Sequence, residues 1–229
     1  MDPVTNIDIL ALAAVGGFIP ALVWLWFWLR EDAHPEPWQY LSLVFVLGMI
    51  AVPLVIPFQQ AIQDHLAFAP IIMFVLWAAL EEVFKFGAAY FAALKSPVND
   101  EPVDPVIYMI TAALGFAALE NTLYLIDPLS QQLIADSVVI TNLRFVGATL
   151  LHVVSSAIIG LFLAFSFYKP RAKRTPYLLA GLLLATTLHA VFNIALMQPG
   201  GEAGMALSFG MTWVGALMLV ILFERVKKL

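Results

Sequence analysis

No cysteine occurs anywhere in the 229 residues. Thiol catalysis, disulfide staples and thiolate metal sites are therefore excluded. Charge is scarce too: Asp, Glu, Lys and Arg make up 12% of the chain against 62% hydrophobic residues, with a mean hydropathy of +0.92. A soluble domain carries about twice that share of charge, so the apolar excess has to face lipid. No basic run interleaved with aromatics is present, and the formal charge is -5, so nothing points to a nucleic-acid partner. Also missing are a GxSxG serine elbow and an HExxH zinc helix, which argues against serine hydrolases and ordinary zincins.

What is there is a series of long apolar runs. A spanning helix needs about 20 such residues. Seven segments qualify: Ile9–Leu29, Tyr40–Phe58, Pro70–Leu94, Val106–Ile126, Val138–Tyr168, Tyr177–Met197 and Met205–Phe223. They predict an all-α polytopic membrane protein with about seven transmembrane helices, and residues 1–229 read as one membrane-embedded domain. The linkers EDAHPEP, SPVNDEPVDP, KPRAKRTP and QPGGEAG are too short to hold a second module and are rich in helix breakers. The leader MDPVTNID carries two acids and no Lys or Arg, unlike a signal peptide, so the first run reads as an uncleaved helix. No aspartate falls inside the seven runs, which argues against an aspartyl dyad.

Nine cations set the orientation: Arg30, Lys95, Lys169, Arg171, Lys173, Arg174, Arg225, Lys227 and Lys228. Seven crossings place all nine on one side, which predicts an N-terminus outside and a cytoplasmic C-terminus. Trp24, Trp26 and Trp28 beside Arg30 read as an interfacial anchor. His34 and His65 read as solvated loop residues, and Pro53 with Pro57 as a bend in the second helix.

Seven ionisable groups remain inside the predicted spans: Glu81, Glu82, Lys85, Glu120, Arg144, His152 and His189. Each costs about 2.5 kcal/mol or more at mid-membrane, so each is a functional candidate. Threading the helices places the carboxylates and both imidazoles at a shared depth, on helices three to six, which predicts a four-helix catalytic core. Small or polar residues flank both histidines at three and four positions: Ala148, Thr149, Ser155 and Ser156 around His152, and Ala185, Thr186 and Asn193 around His189. Such faces suit helix packing or a wet cavity rather than lipid. The bland alternatives are an ion pair of Lys85 with one of the glutamates, packing histidines, and an Arg144 that snorkels to the interface. Lys85 does not neutralise Glu120 as well, and two histidines level with three carboxylates favour a site over packing.

Carboxylate, imidazole and amide supply what peptide hydrolysis needs: a proton acceptor for water, an oxyanion donor and a proton for the leaving amine. Glu81 and Glu82 point about 100° apart, so one faces the cluster and the other supports it. A proton- or ion-coupled transporter would use the same buried charges, but no inverted repeat is evident and the helix count is odd. A non-catalytic membrane scaffold is the third reading.

The motifs Glu81-Glu82-Val83-Phe84-Lys85, Phe116-Ala117-Ala118-Leu119-Glu120-Asn121, His152 with Ser156, and His189 with Asn193 stand one on each of helices three to six. In that order they resemble the PrsW family of intramembrane proteases. The DEPVDP stretch and the acidic, Pro-rich loop at Glu31–Pro37 resemble it too. The resemblance implies kinship with the CPBP and prenyl-protein endopeptidase superfamily, where a histidine stands in place of Glu120. It also implies residence in a bacterial cytoplasmic membrane and site-1 cleavage of a membrane-anchored substrate such as an anti-sigma factor. Expected catalytic residues are Glu81, Glu82, Glu120, His152, His189 and Asn193, supported by Lys85, Asn121, Ser156 and Arg144. Glu120, His152 and His189 would form a two-histidine, one-carboxylate site for a divalent metal such as zinc. The metal-free alternative activates water with glutamate and histidine alone.

Overall fold

A computed structural model describes residues 6–32, 34–196 and 202–229. The first five leader residues, Ala33, and the expected end of the sixth span at Met197 with the turn after it lie outside the described residues. Among the described residues there are helices and turns and no strand. The helices are α1 (Asn6–Leu29), α2 (Trp38–Leu66), α3 (Pro70–Ala89), α4 (Asp104–Ser130), α5 (Ile134–Leu143), α6 (Thr149–Phe165), α7 (Arg171–Leu196) and α8 (Glu202–Val226). A π-helical turn, Tyr90–Leu94, extends α3, and another, Arg144–Ala148, joins α5 to α6. The result is seven rods, all-α and polytopic as the apolar runs predict. Six are long and apolar enough to cross a membrane. The rod of α3 departs from that test because Glu81, Glu82 and Lys85 interrupt its apolar run.

Pro70 and Pro105 sit in the first turns of α3 and α4, where the missing N–H costs nothing. α2 runs on to Leu66, well past the expected end at Phe58, because Gln59–His65 is polar yet contains no helix breaker. His65 is therefore not a loop residue: it lies in the last turn of α2, its Nδ1 2.8 Å from the Ala61 carbonyl. α7 likewise starts at Arg171, ahead of the apolar run.

α4 is the central rod, buried without interruption from Asp104 through Ala118. α1, α2 and α6 pack around it, with α3 and α7 completing the side that holds the charges. Glycines set these distances. A Cβ on Gly115 would stand 2.0 Å from the Phe45 carbonyl oxygen, and one on Gly48 would stand 2.2 Å from that of Ala112. Such close approach of backbones is the way membrane helices gain packing energy when hydrophobic burial supplies little.

The Trp-rich end of α1 is only partly an interfacial anchor. Trp26 is exposed and lies under the Arg30 guanidinium at 4.8 Å. Trp28 is buried edge-on against Phe223 at 5.7 Å, and the Trp24 indole donates to the Phe145 carbonyl at 3.3 Å. Core packing, not the water interface, holds those two.

Candidate active site

Four rods deliver the ionisable groups to one place. α3 carries Glu81, Glu82 and Lys85, and α4 carries Glu120 and Asn121. The turn before α6 carries Arg144, α6 itself carries His152, Ser155 and Ser156, and α7 carries His189 and Asn193. Glu82 is the fully buried centre of the network. Its Oε1 accepts from Lys85 Nζ at 2.8 Å, Ser155 Oγ at 2.9 Å and His189 Nδ1 at 2.9 Å, while Oε2 accepts from Ser156 Oγ at 2.7 Å. A carboxylate so enclosed is fully satisfied and holds α3, α6 and α7 together.

These partners assign the imidazole protons. Glu82 accepts from His189 Nδ1, so that nitrogen carries the hydrogen, and in the neutral ring Nε2 then presents its lone pair, 3.5 Å from Glu81 Oε2. Lys85 Nζ donates to His152 Nδ1 at 2.9 Å, which puts the His152 proton on Nε2, facing Glu120 Oε2 at 3.1 Å. The two rings meet edge to face at 5.1 Å.

Arg144 does not snorkel. Its guanidinium donates to both Glu120 and Asn121 and covers the Tyr124 ring at 3.9 Å. Asn121 in turn donates to Thr149 Oγ1 at 2.9 Å. The π-helical turn at Arg144–Ala148 is where the fifth rod shifts its side chains relative to a regular helix, a device common at functional sites.

The helix geometry separates the two adjacent glutamates. Glu81 lines a cavity of about 310 Å³ together with Glu120, Arg144, His152, His189 and Asn193; Glu82 lies behind it. Apolar side chains, Val52, Val55, Phe116, Leu151 and Phe192 among them, form most of the remaining wall. No aspartate lines it: Asp104, Asp127 and Asp136, beyond the expected span ends, fall near the ends of α4 and α5. Sequence reading missed three cavity residues: Gln59, Trp77 and Tyr124. Gln59 Nε2 donates to Glu81 Oε1 at 3.0 Å, and the Trp77 indole donates to the Gln59 carbonyl at 3.0 Å. Nothing marks Gln59 in the sequence, because it follows Phe58, the expected end of the second apolar run.

The donor set differs from the expected one in its carboxylate. Glu81, His152 and His189 each offer a ligand atom within 4.8 Å of the other two. Glu120, expected in that role, is instead turned to Arg144 and to His152 Nε2. Glu81 Oε2 is buried without a hydrogen-bond partner, an unsatisfied anion of the kind a cation would complete. His189 Nε2 faces it with a free lone pair, and Glu82 fixes that ring from behind, as outer carboxylates do for ligating histidines. The residues therefore fit a divalent metal.

Comparison with known proteins gives the family. No solved structure matches the chain. Protease PrsW of Geobacillus kaustophilus is 31% identical over 187 residues, covering 79% of this chain and 78% of its own. Protease PrsW of Halalkalibacterium halodurans is 30% identical over 186 residues, with 78% and 80% covered. That of Bacillus subtilis is 27% identical over 187 residues, with 79% and 80% covered. The profile of the PrsW family intramembrane metalloproteases matches residues 36–223. The chain is thus an integral membrane peptidase and belongs to the PrsW family.

Proposed function

We propose that the chain, acting as one membrane-embedded domain, cleaves membrane-anchored proteins inside the bilayer, at the cavity where α2, α3, α4, α6 and α7 meet. The observation that carries this reading is Glu81 Oε2, buried without a hydrogen-bond partner and held 3.5 Å from Nε2 of His189 inside a cavity of about 310 Å³. At about 30 Å³ per water, a cavity of about 310 Å³ has room for the attacking water and for a short stretch of peptide beside it. The substrate is a single-pass regulator such as an anti-sigma factor, cut at site 1, in a bacterial cytoplasmic membrane.

In this reading Glu81, His152 and His189 hold a divalent metal, zinc by the chemistry of two imidazoles and a carboxylate. Such a metal acidifies bound water and polarises the scissile carbonyl. Glu82 keeps the His189 proton on Nδ1. Glu120 Oε2, the other carboxylate lining the cavity, holds and passes the proton between water and the leaving amine. Arg144 and Asn193, on the same wall, supply donors for the oxyanion. Ligation by His152 Nε2 requires its proton to move to Nδ1, where Lys85 Nζ now donates, so Lys85 has to yield that contact.

The same contact favours a second reading. With Lys85 on Nδ1, His152 keeps Nε2–H, which now faces Glu120 and would turn to the oxyanion, and Glu81 takes the proton from water without a metal. Neither reading resembles ion transport, and family membership sets the transporter alternative aside. The test uses purified protein in liposomes with a panel of membrane-tethered single-pass peptides, cleavage being read by mass spectrometry. Wild type should cut, carry about one equivalent of zinc and lose activity on chelation, whereas Glu81→Gln and His189→Ala should lose at least ~100-fold in rate. Full activity after exhaustive chelation would leave only the glutamate mechanism, and full activity of Glu81→Gln would end both.

A further inference from the structure

We infer that Gln59, on the polar end of α2, is a positioning residue that keeps Glu81 free for the reaction. This rests on the proposed role of Glu81. The alternative fate of that carboxylate is visible in the structure. Lys85 stands one helical turn away on α3, 3.7 Å from Glu81 Oε2, close enough to count as an ion pair but too far for a hydrogen bond. A small rotation of the Glu81 side chain would close that gap. The carboxylate would then be a fully engaged partner of a buried ammonium, as Glu82 already is at 2.8 Å. Its free oxygen would be lost to His189 and to the cavity.

Only one hydrogen bond holds it elsewhere. Gln59 Nε2 donates to Glu81 Oε1 at 3.0 Å from the opposite helix, and the other oxygen has no hydrogen-bond partner. An amide is suited to this task in a way a charged donor is not. It directs one oxygen by a neutral bond and leaves the carboxylate's charge for the cavity, whereas an Arg or Lys at the same place would compensate it. The carrier of Gln59 is itself fixed. The Trp77 indole, one turn before Glu81 on α3, donates to the Gln59 backbone carbonyl at 3.0 Å. The α2 end and the α3 segment bearing Glu81 are thereby tied by a main-chain contact and a side-chain contact that run in opposite directions. Gln59 and Trp77 both line the cavity beside Glu81. The extension of α2 past Pro57 thus has a use: a helix that stopped at Phe58 would leave Glu81 facing Lys85 without a competitor.

The test is Gln59→Met, unbranched and of similar length, which keeps the packing and removes the amide. Purified full chain is compared with wild type and Glu81→Gln in three measurements: melting temperature, zinc affinity by equilibrium dialysis without substrate, and kcat and KM on a peptide that wild type cleaves. A positioning role predicts an unchanged melting temperature and KM, with kcat and zinc affinity each lowered by about 10- to 100-fold, the usual effect of removing an outer partner of a ligand. If wild type binds no zinc, the fall in kcat alone is expected. Should the methionine variant fail to fold, Gln59→Leu removes the amide with a differently shaped apolar side chain and must show the same loss. Values of kcat and zinc affinity within twofold of wild type would overturn the inference while leaving Glu81→Gln inactive. An active Glu81→Gln would instead remove the reading on which it rests.

Discussion

Glu81 and Glu82 are identical in type and adjacent in sequence, yet one lines the cavity and the other is walled in by Lys85, Ser155, Ser156 and His189. Residue type alone cannot separate them, because the separation is a matter of helix rotation: about 100° per residue turns one carboxylate to the cavity and its neighbour to the packed seam. The burial cost of membrane charges made the cluster legible in the sequence. Which carboxylate groups with both imidazoles in the cavity was not legible, since that depends on helix rotation and on Arg144 pairing with Glu120. A residue outside the cluster carries its own prediction. Glu36, in the loop between α1 and α2, is buried beneath a hydrogen bond from the Tyr108 hydroxyl. Burial pushes its carboxyl up to about 8 and the nearby Asp104 and Asp32 add to the rise, against the pull of Tyr108. The folded chain therefore holds this proton when the unfolded chain has lost it. The resulting stability is complete below the ordinary carboxyl value of 4.5 and is lost as pH rises through about 8. The melting temperature in detergent should accordingly fall between about pH 5 and pH 8, and Glu36→Gln should flatten that slope. An identical slope in the variant would show that Glu36 does not keep the proton.

At the scale of the helix, two kinds of local feature place the site. The rods themselves were readable, since a long apolar run in a chain this hydrophobic has few other fates. The two π-helical turns and the polar extension of α2 were not: Arg144–Ala148 leaves the hydropathy pattern unchanged and reads as one more stretch of a long helix, while Gln59–His65 breaks the apolar pattern and reads as the start of a loop. Glycine contacts are the other feature, and they differ sharply from one another. Gly115 on α4 faces the Phe45 carbonyl of α2, where an added Cβ would stand 2.0 Å from backbone that cannot swing away, whereas Gly87 on α3 has nothing within 4 Å. Gly115→Ala should therefore force α2 off α4 and cost about 1–3 kcal/mol or more. Gly87→Ala should be neutral or stabilising by up to about 1 kcal/mol, through helix propensity. Denaturant titration in mixed micelles measures both. Equal effects of the two substitutions would mean that the α2–α4 distance is not set by that glycine.

For the molecule as a whole, the charges that remain outside the cluster decide how it sits in the membrane. A carboxylate-rich site buried among seven rods works only if both ends of the bundle lie in water, and the chain marks one of those ends. Lys95 follows the third rod, Lys169 follows the fifth, Arg171, Lys173 and Arg174 sit in the first turn of the sixth, and Arg225, Lys227 and Lys228 close the last, while the connection around Gln131 carries no Lys or Arg. Arg30 ends the first rod on the same side. Seven antiparallel crossings would bring these ends together, and the connections are short enough for the cation bias to govern insertion. The acidic loops at Glu31–Pro37 and Asp100–Asp104 share that end with the cations, but acids contribute little to the bias and do not cancel it. Reporter fusions after Arg30, Lys95, Arg174 and Leu229 should therefore read cytoplasmic, and fusions near Asp64 and Gln131 external; a reporter near Gly201, outside the described residues, belongs with the external set. Moving the cations should move the protein: replacing Lys169, Arg171, Lys173 and Arg174 together by Gln should weaken the cytoplasmic signal at that loop first, since it holds the largest group. A cytoplasmic signal from the wild-type loop at Gln131 would be incompatible with seven crossings in this order, and would require one of the rods, the charge-bearing α3 foremost, to stop short of the far interface.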